Sequence, residues 1–85
     1  MRFRGRVRVM PRSGLLDPQG HAVEQALGAL GFATVSQVRV GRTLEIALDA
    51  DSEHQVRERL REMCERLVAN PVTEDYTIDA VEALA

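Results

Sequence analysis

The chain of 85 residues has no lysine and no tryptophan, and it contains a single cysteine, Cys64. One cysteine excludes an internal disulfide and is typical of cytoplasmic proteins. The only aromatic side chains are Phe3, Phe32 and Tyr76, which is too few for the stacking platform of an RNA-binding protein. The formal net charge of -2 also argues against a general nucleic-acid binder. All eleven basic residues are arginine, a usage that fits GC-rich codons as well as heat adaptation.

Long apolar runs are missing too. No segment approaches the ~20 apolar residues that a membrane-spanning helix needs, and residues 1–4 lack the apolar core of a signal peptide. We therefore expect a cytoplasmic protein that does not enter a membrane. The length predicts a single domain over residues 1–85. A domain of this size buries only about 60–65% of the surface of its unfolded chain, so partner subunits are a common source of further stability.

Groups that perform chemistry are not gathered in any recognisable motif. The chain has no nucleophile next to a base, no cluster of metal ligands and no glycine-rich phosphate loop. His21 and His54 lie in the first turns of two different predicted helices and are expected to be exposed rather than to bind a metal. Cys64 is expected to pack in the core. The loop from Pro11 to Leu16 has one glycine and one arginine, too little for the phosphate cradle of an acylphosphatase-type enzyme.

The first ten residues alternate with a period of two, which predicts a half-buried strand ended by Pro11. One face carries Phe3, Gly5, Val7 and Val9, and the other carries Arg2, Arg4, Arg6 and Arg8. We expect acidic side chains on the two neighbouring strands to neutralise this arginine stripe; the candidates are Glu45, Asp49, Asp75 and Asp79. A subunit contact and an anionic ligand remain alternative roles for the stripe.

A first helix is predicted from Pro18 to about Leu30, with Asp17 as its N-cap and Gly31 just beyond its end. Its apolar stripe consists of Val23, Ala26, Leu27 and Leu30. The alternation that follows predicts a second strand at 35–40, a tight turn at Gly41-Arg42 and a third strand at 43–49.

The sequence Ser52-Glu53-His54-Gln55 is a capping box that begins a second helix, which is expected to continue to about Ala69. Its predicted buried face is marked by Val56, Leu60, Met63 and Leu67. Asn70 precedes a proline, which stops the helix. Residues 75–81 alternate again and predict a fourth strand.

The predicted order β-α-β-β-α-β is typical of an α+β, ferredoxin-like layer, in which an antiparallel sheet carries both helices on one face. In this order the first strand lies between the third and the fourth. The fourth strand is therefore an edge, and its unpaired backbone groups could pair with another subunit or the strand could be exchanged between subunits.

Four segments carry a resemblance to a known family: L-D-P-Q-G at the start of the first helix, L-G-F at its end, V-R-V-G-R, and M-C-E-R-L-V-A-N-P-V-T-E-D-Y. Together they resemble PurS, the small subunit of phosphoribosylformylglycinamidine synthase in purine biosynthesis. The resemblance extends from Val7 to about Ile78.

The resemblance implies a subunit of a glutamine- and ATP-dependent ligase that has no catalytic residues, metal or cofactor of its own. ATP, magnesium and glutamine are then used by the partners, a large synthetase subunit and a glutaminase subunit. The chain is expected to help the glutaminase dock on the synthetase and to form a homodimer or higher oligomer. A ferredoxin-like module that binds a small regulatory metabolite is the alternative, because a fold does not fix a function.

The residues expected at partner interfaces belong mainly to two proline-containing segments, Leu16–Gly20 and Asn70–Tyr76. They are Asp17, Pro18, Gln19, Gly20, Arg42, Asn70, Pro71, Glu74, Asp75 and Tyr76. Gly20 is unfavourable inside a helix by about 0.5–1 kcal/mol relative to alanine, which suggests that another backbone approaches it. Internal packing and a subunit interface are both open explanations for that approach.

Overall fold

The computed structural model describes residues 1–84 as three strands, two α-helices and one π-helical turn. Their order is β1 (Arg2–Pro11), α1 (Pro18–Ala29), β2 (Arg42–Asp49), α2 (Glu53–Met63), the π turn (Cys64–Val68) and β3 (Glu74–Leu84). The strands form one antiparallel sheet in the order β2-β1-β3. The predicted α+β class is confirmed, with the first strand at the centre of the sheet and the last strand at its edge.

The core lies between the inner face of β1 and helix α2. Its buried side chains are Phe3, Val7, Val9, Ala50, Val56, Leu60, Cys64 and Ala69. Gly5 also faces this core, and a side chain there would overlap Leu60. Burying a large aliphatic side chain contributes about 1.5–3 kcal/mol, so α2 and β1 form the stable centre of the molecule.

The strand expected at 35–40 is not formed. In the predicted order this segment would lie beside β2, but among residues 1–84 β2 pairs with β1 alone. Its backbone bonds elsewhere, because the Val40 N–H donates to the Asp17 carboxylate and the Val35 N–H donates to the Phe32 carbonyl. Nor does Gly41-Arg42 form a hairpin turn, since Arg42 already lies in β2 opposite Val9.

Helix α1 begins and ends as predicted. Asp17 is its N-cap, Pro18 its first residue, and Gly31 beyond its end has a φ of 98°. Its apolar stripe, however, is not packed against the sheet of its own chain, because the extensive contacts between elements involve the three strands, α2 and the π turn. Val23 is 42% exposed and Leu30 is 74% exposed, so this helix has an apolar face without a cover.

The shape of the molecule reflects this uncovered helix. The radius of gyration is 16.4 Å, compared with about 12 Å for a compact domain of this length. The molecule measures 50 × 29 × 14 Å along its principal axes. Within residues 1–84, no helix is long and apolar enough to cross a membrane.

Helix α2 is capped as predicted, with the Ser52 Oγ accepting from the Gln55 N–H at 3.2 Å. Its end differs, because Leu67 is 86% exposed rather than buried. The π turn explains this. Its hydrogen bond runs from the Ala69 N–H to the Cys64 carbonyl at 3.1 Å, and this wider turn brings Cys64 and Ala69 inward while Leu67 rotates into solvent.

Candidate docking site

The two proline-containing segments meet at one end of the sheet, although residues 21–69 separate them in sequence. Between them lies an open groove of about 510 Å³ that also includes the start of β2. The predicted interface residues that line it are Asp17, Pro18, Gln19, Arg42 and Glu74. Its apolar lining comes from Pro11, Leu15, Leu16 and Val40. We call this feature the sheet-end groove.

Asp17 joins the start of α1 to the segment before β2. Its Oδ1 accepts from the Gly20 N–H at 3.1 Å and its Oδ2 accepts from the Val40 N–H at 2.9 Å. These two backbone hydrogen bonds, with Val40 the larger contributor, hold the pKa of the carboxyl below its ordinary value. Gly20 is buried, and a Cβ there would overlap the Val38 carbonyl oxygen. The backbone that approaches Gly20 therefore comes from the same chain.

Arg42 and Glu74 form the strongest polar contact of the sheet-end groove. The Glu74 Oε2 accepts from Arg42 Nη1 at 2.6 Å and its Oε1 accepts from Nη2 at 3.1 Å. Oε1 also accepts from the Asn70 N–H at 2.8 Å. The bond with Arg42 lowers the pKa of Glu74, and the Asn70 N–H lowers it further. This two-point geometry suits a guanidinium better than an ammonium, and it ties β2 to the start of β3.

Three further predicted residues, Pro71, Asp75 and Tyr76, line a smaller groove of about 230 Å³ that shares Glu74 with the first. Pro71 accepts at its carbonyl from Arg12 Nη2 at 2.7 Å, and Asp75 accepts from Arg12 Nε at 3.2 Å. Asn70 Oδ1 accepts from the Val72 N–H at 3.0 Å, and the Tyr76 hydroxyl donates to Glu65 at 3.3 Å. These bonds fix the shape of the 70–76 segment.

Sequence reasoning overlooked Arg12 and two apolar residues at this end of the sheet. Arg12 binds both Pro71 and Asp75, and its place directly after the arginine stripe is the only signal for it in the sequence. Leu16 is 83% exposed and Val72 is 73% exposed. Both lie inside the two proline-containing segments, but an apolar residue in a loop gives no indication of its exposure.

Most of the arginine stripe is neutralised by the sheet itself, as expected. Arg4 pairs with Glu82, Arg6 with Glu45 and Arg8 with Asp79, at 3.2 to 3.9 Å, whereas Arg2 makes no ion pair within residues 1–84. Glu45 and Asp79 were predicted partners. Of the other two candidates, Asp75 pairs with Arg12, which lies outside the stripe, and Asp49 makes no ion pair within the described residues. Exposed pairs of this kind contribute at most about 1 kcal/mol each. The outer face of the sheet is thus largely balanced in charge.

The cysteine and the two histidines lie in three different surroundings. Cys64 is fully buried, and burial together with the nearby Glu65 raises the pKa of its thiol, which keeps it protonated. His21 is exposed beside Glu24, at 3.7 Å, and His54 is also exposed. No three histidine, cysteine or acidic side chains among residues 1–84 lie close enough together to hold a metal ion.

The two carboxylates of the sheet-end groove predict a pH dependence of stability. Asp17 has an ordinary pKa of 3.8 and Glu74 one of 4.5, and both values are lowered in the folded protein. Each therefore stabilises the fold above its ordinary pKa, and this contribution is lost as the pH falls through the lowered, folded value. We expect the urea concentration at the midpoint of unfolding to decrease as the pH is lowered below about 4. A chain with Asp17→Asn and Glu74→Gln should show a flatter profile between pH 6 and pH 3; an identical profile would contradict the prediction.

Comparison with known proteins gives a consistent result. Residues 4–82 match the model of the family described as PurS, phosphoribosylformylglycinamidine (FGAM) synthase. The PurS subunit of Mycobacterium leprae is 45% identical over 75 residues, which cover 85% of this chain and 87% of the relative. The structure of Thermus thermophilus PurS covers 100% of both chains with a TM-score of 0.87 and 39% identity. A chain in the structure of PurLQS from Thermotoga maritima matches with a TM-score of 0.82 and 28% identity, over 99% of both chains.

Proposed function

Because this chain belongs to the PurS family of phosphoribosylformylglycinamidine synthase subunits, we propose that it is the non-catalytic adaptor of that enzyme. In this role it docks a glutaminase subunit on an ATP-dependent synthetase subunit, so that ammonia released from glutamine reaches formylglycinamide ribonucleotide. The observation that carries the proposal is the sheet-end groove, where the two segments most typical of the family meet and are braced by Asp17, Arg42 and Glu74.

The chemistry of the groove supports a docking role. Its charged groups already have partners within the chain. Arg42 pairs with Glu74, and the Asp17 carboxylate accepts hydrogen bonds from two backbone N–H groups. Such groups hold a shape but are not free to move protons or to bind phosphate. We propose that ATP, magnesium and glutamine are bound by the partner subunits, and that this chain works beside them in the cytoplasm.

The rim of the groove suits another polypeptide. Leu16 lines the groove and is mostly exposed, and Val72, which directly precedes the lining residue Thr73, is mostly exposed as well. Apolar side chains around a pre-organised polar floor are typical of the anchor points in protein interfaces. We propose that a segment of a partner subunit of the same enzyme covers Leu16 and Val72. Pairing of the free β3 edge with another subunit stays a prediction.

A second, separate surface fits a second copy of this chain. Helix α1 exposes Val23 and Leu30. The inner face of β2 carries apolar residues at the margin of the core that are only half-buried and have no extensive helix contact within residues 1–84, namely Leu44, Ile46 and Leu48. An uncovered helix and an uncovered half-sheet in one chain can cover each other reciprocally between two copies around a two-fold axis. The extended shape of the molecule supports this arrangement, since α1 projects away from its own sheet.

The role of the sheet-end groove can be tested with two matched leucine variants. Leu16→Asp places a charge in the proposed contact, and Leu67→Asp makes the same change at an equally exposed leucine on the π turn. We expect Leu16→Asp to weaken binding to the other two subunits by at least about tenfold, as for an interface anchor, and Leu67→Asp to change it little. Binding is measured by interferometry with the subunits immobilised.

Two results would contradict the proposed role. Equal binding by both variants would show that the sheet-end groove is not part of the interface with the other subunits. Strong thermal stabilisation of the isolated chain by a free amino acid or nucleotide, with no binding to the other subunits, would favour the metabolite-binding module instead.

A further inference from the structure

Helix α1 is attached to the rest of the molecule almost entirely through its first turn. Gly20 is the one buried residue of the helix, and beyond it the apolar stripe is largely exposed. The extensive packing of residues 1–84 lies between the strands, α2 and the π turn, without α1. The direction in which α1 projects is therefore not determined by side chains packed along its length.

Two contacts of the first turn can fix that direction. The Asp17 carboxylate accepts from Gly20 with one oxygen and from Val40 with the other, at 3.1 and 2.9 Å. On the same side, the α-carbon of Gly20 lies so close to the Val38 carbonyl that no side chain fits between them. We call the two hydrogen bonds of the carboxylate the Asp17 bridge. It joins the helix to the segment immediately before β2. The first residue of β2, Arg42, is paired with Val9 in the sheet.

We propose that Asp17 is a positioning residue: the Asp17 bridge fixes the direction of α1 and so presets the face that a second copy of the chain meets. This inference rests on the self-association proposed above. A helix capped by any good N-cap residue would form equally well, but aspartate places one acceptor oxygen at the Gly20 N–H and a second at the Val40 N–H. The choice of aspartate thus serves orientation as well as helix formation.

The cost of losing the bridge follows from population arithmetic. If α1 of each copy pointed in the binding direction only about a third of the time, the apparent dissociation constant of the dimer would rise about tenfold, because both copies must be competent at once. The helix itself would persist, because its cap and its internal hydrogen bonds would remain. Asp17 therefore acts on association through the orientation of α1 and not by touching the second copy.

The Asp17→Asn variant separates capping from bridging. Asparagine caps helices as well as aspartate does, but when its carbonyl oxygen accepts from Gly20, its NH2 group takes the place of the oxygen that faces the Val40 N–H. We expect amide exchange at Val40 to become at least about tenfold faster while Gly20 stays protected, and the dimer dissociation constant to rise at least about tenfold. Asp51→Asn is the matched control, because the hydrogen bond at Asp51 is donated by its backbone N–H and not accepted by its carboxylate.

A second variant tests the same idea without changing charge. Gly20→Ala drives a methyl group into the Val38 carbonyl and should turn α1 away from its native direction. Residual dipolar couplings of dilute, monomeric protein report that direction against the sheet. We expect wild type and Asp51→Asn to share one orientation of α1, and Asp17→Asn and Gly20→Ala to depart from it.

The outcomes are separable. An unchanged α1 orientation and unchanged Val40 exchange in Asp17→Asn would overturn the positioning role, as would faster exchange with an unchanged dissociation constant. A wild-type protein that stays monomeric at every concentration would overturn the self-association proposal instead, and the exchange and orientation measurements would still decide whether Asp17 sets the direction of the helix.

Discussion

Leaving this subunit out of the reconstituted enzyme is expected to reduce glutamine-driven synthesis by about a hundredfold or more, while synthesis driven by added ammonium salt continues. The reason is physical proximity. Docking holds the glutaminase at an effective concentration in the millimolar range beside the synthetase, and without the adaptor, ammonia is released into bulk solvent. The measurement is product formation by the synthetase and glutaminase subunits, with and without this chain, with glutamine or ammonium as the nitrogen source.

The ammonium reaction is the internal control, because it uses the same synthetase active site without needing the glutaminase. Adding back the chain should restore the glutamine-driven rate, and Leu67→Asp should restore it equally well. If the glutamine-driven rate were full without this chain, it would not be an adaptor. If the ammonium-driven rate fell together with the glutamine-driven rate, this chain would act on the synthetase itself, which also contradicts the proposed role.

Local signals in the sequence predicted much of this molecule because the forces behind them are local. The alternation in β1 predicted both its buried face and the exposed arginine stripe, since successive side chains of a strand point to opposite sides. Asp17 and Ser52 predicted the starts of the two helices, because an N-cap satisfies N–H groups only two or three residues away. Gly31 predicted the end of the first helix, because the positive φ that ends a helix is a property of a single residue.

The features that could not be predicted depend on distant neighbours. Residues 35–40 have a strand pattern, but their backbone bonds to other partners than β2: the Val35 N–H donates to Phe32 and the Val40 N–H donates to Asp17. The burial of Leu67 was misjudged because a single π turn changes the phase of the helix, and no residue in it announces that change. The surface that buries the apolar stripe of α1 could not be inferred from the sequence, because an apolar stripe predicts burial but does not identify the surface that covers it.

The candidate site was predicted in part. Both proline-containing segments were identified from residues that shape the backbone, and the structure brings them to one end of the sheet. The two hydrogen bonds that Arg42 donates to Glu74 join positions 32 residues apart. The hydrogen bond that the Val40 N–H donates to Asp17 joins positions 23 residues apart. Pairings over such distances follow from the tertiary fold, so the sequence indicated the members of the site but not their partners.

The centre of the fold depends on how Leu60 of α2 fits over Gly5 of β1. Leu60 is fully buried, and its methyl groups occupy the space that a side chain at Gly5 would need. Leu60→Ala removes this packing and leaves a cavity, which typically costs about 2–5 kcal/mol. A chain of 85 residues has only about 4–13 kcal/mol of stability in total, so this single change is expected to remove a large share of it.

The same contact predicts that two destabilising changes will compensate each other. Gly5→Ala alone should destabilise the fold by about 1–3 kcal/mol, because its methyl group collides with Leu60. In the double variant the new methyl group at position 5 enters the space that Leu60→Ala has emptied. We expect the double variant to be about 0.5–3 kcal/mol more stable than the sum of the single changes. Urea unfolding at one fixed protein concentration measures all four proteins, since self-association would otherwise shift the midpoints. Strict additivity would show that Gly5 and Leu60 do not pack against each other, and that α2 is held on the sheet by its other buried residues.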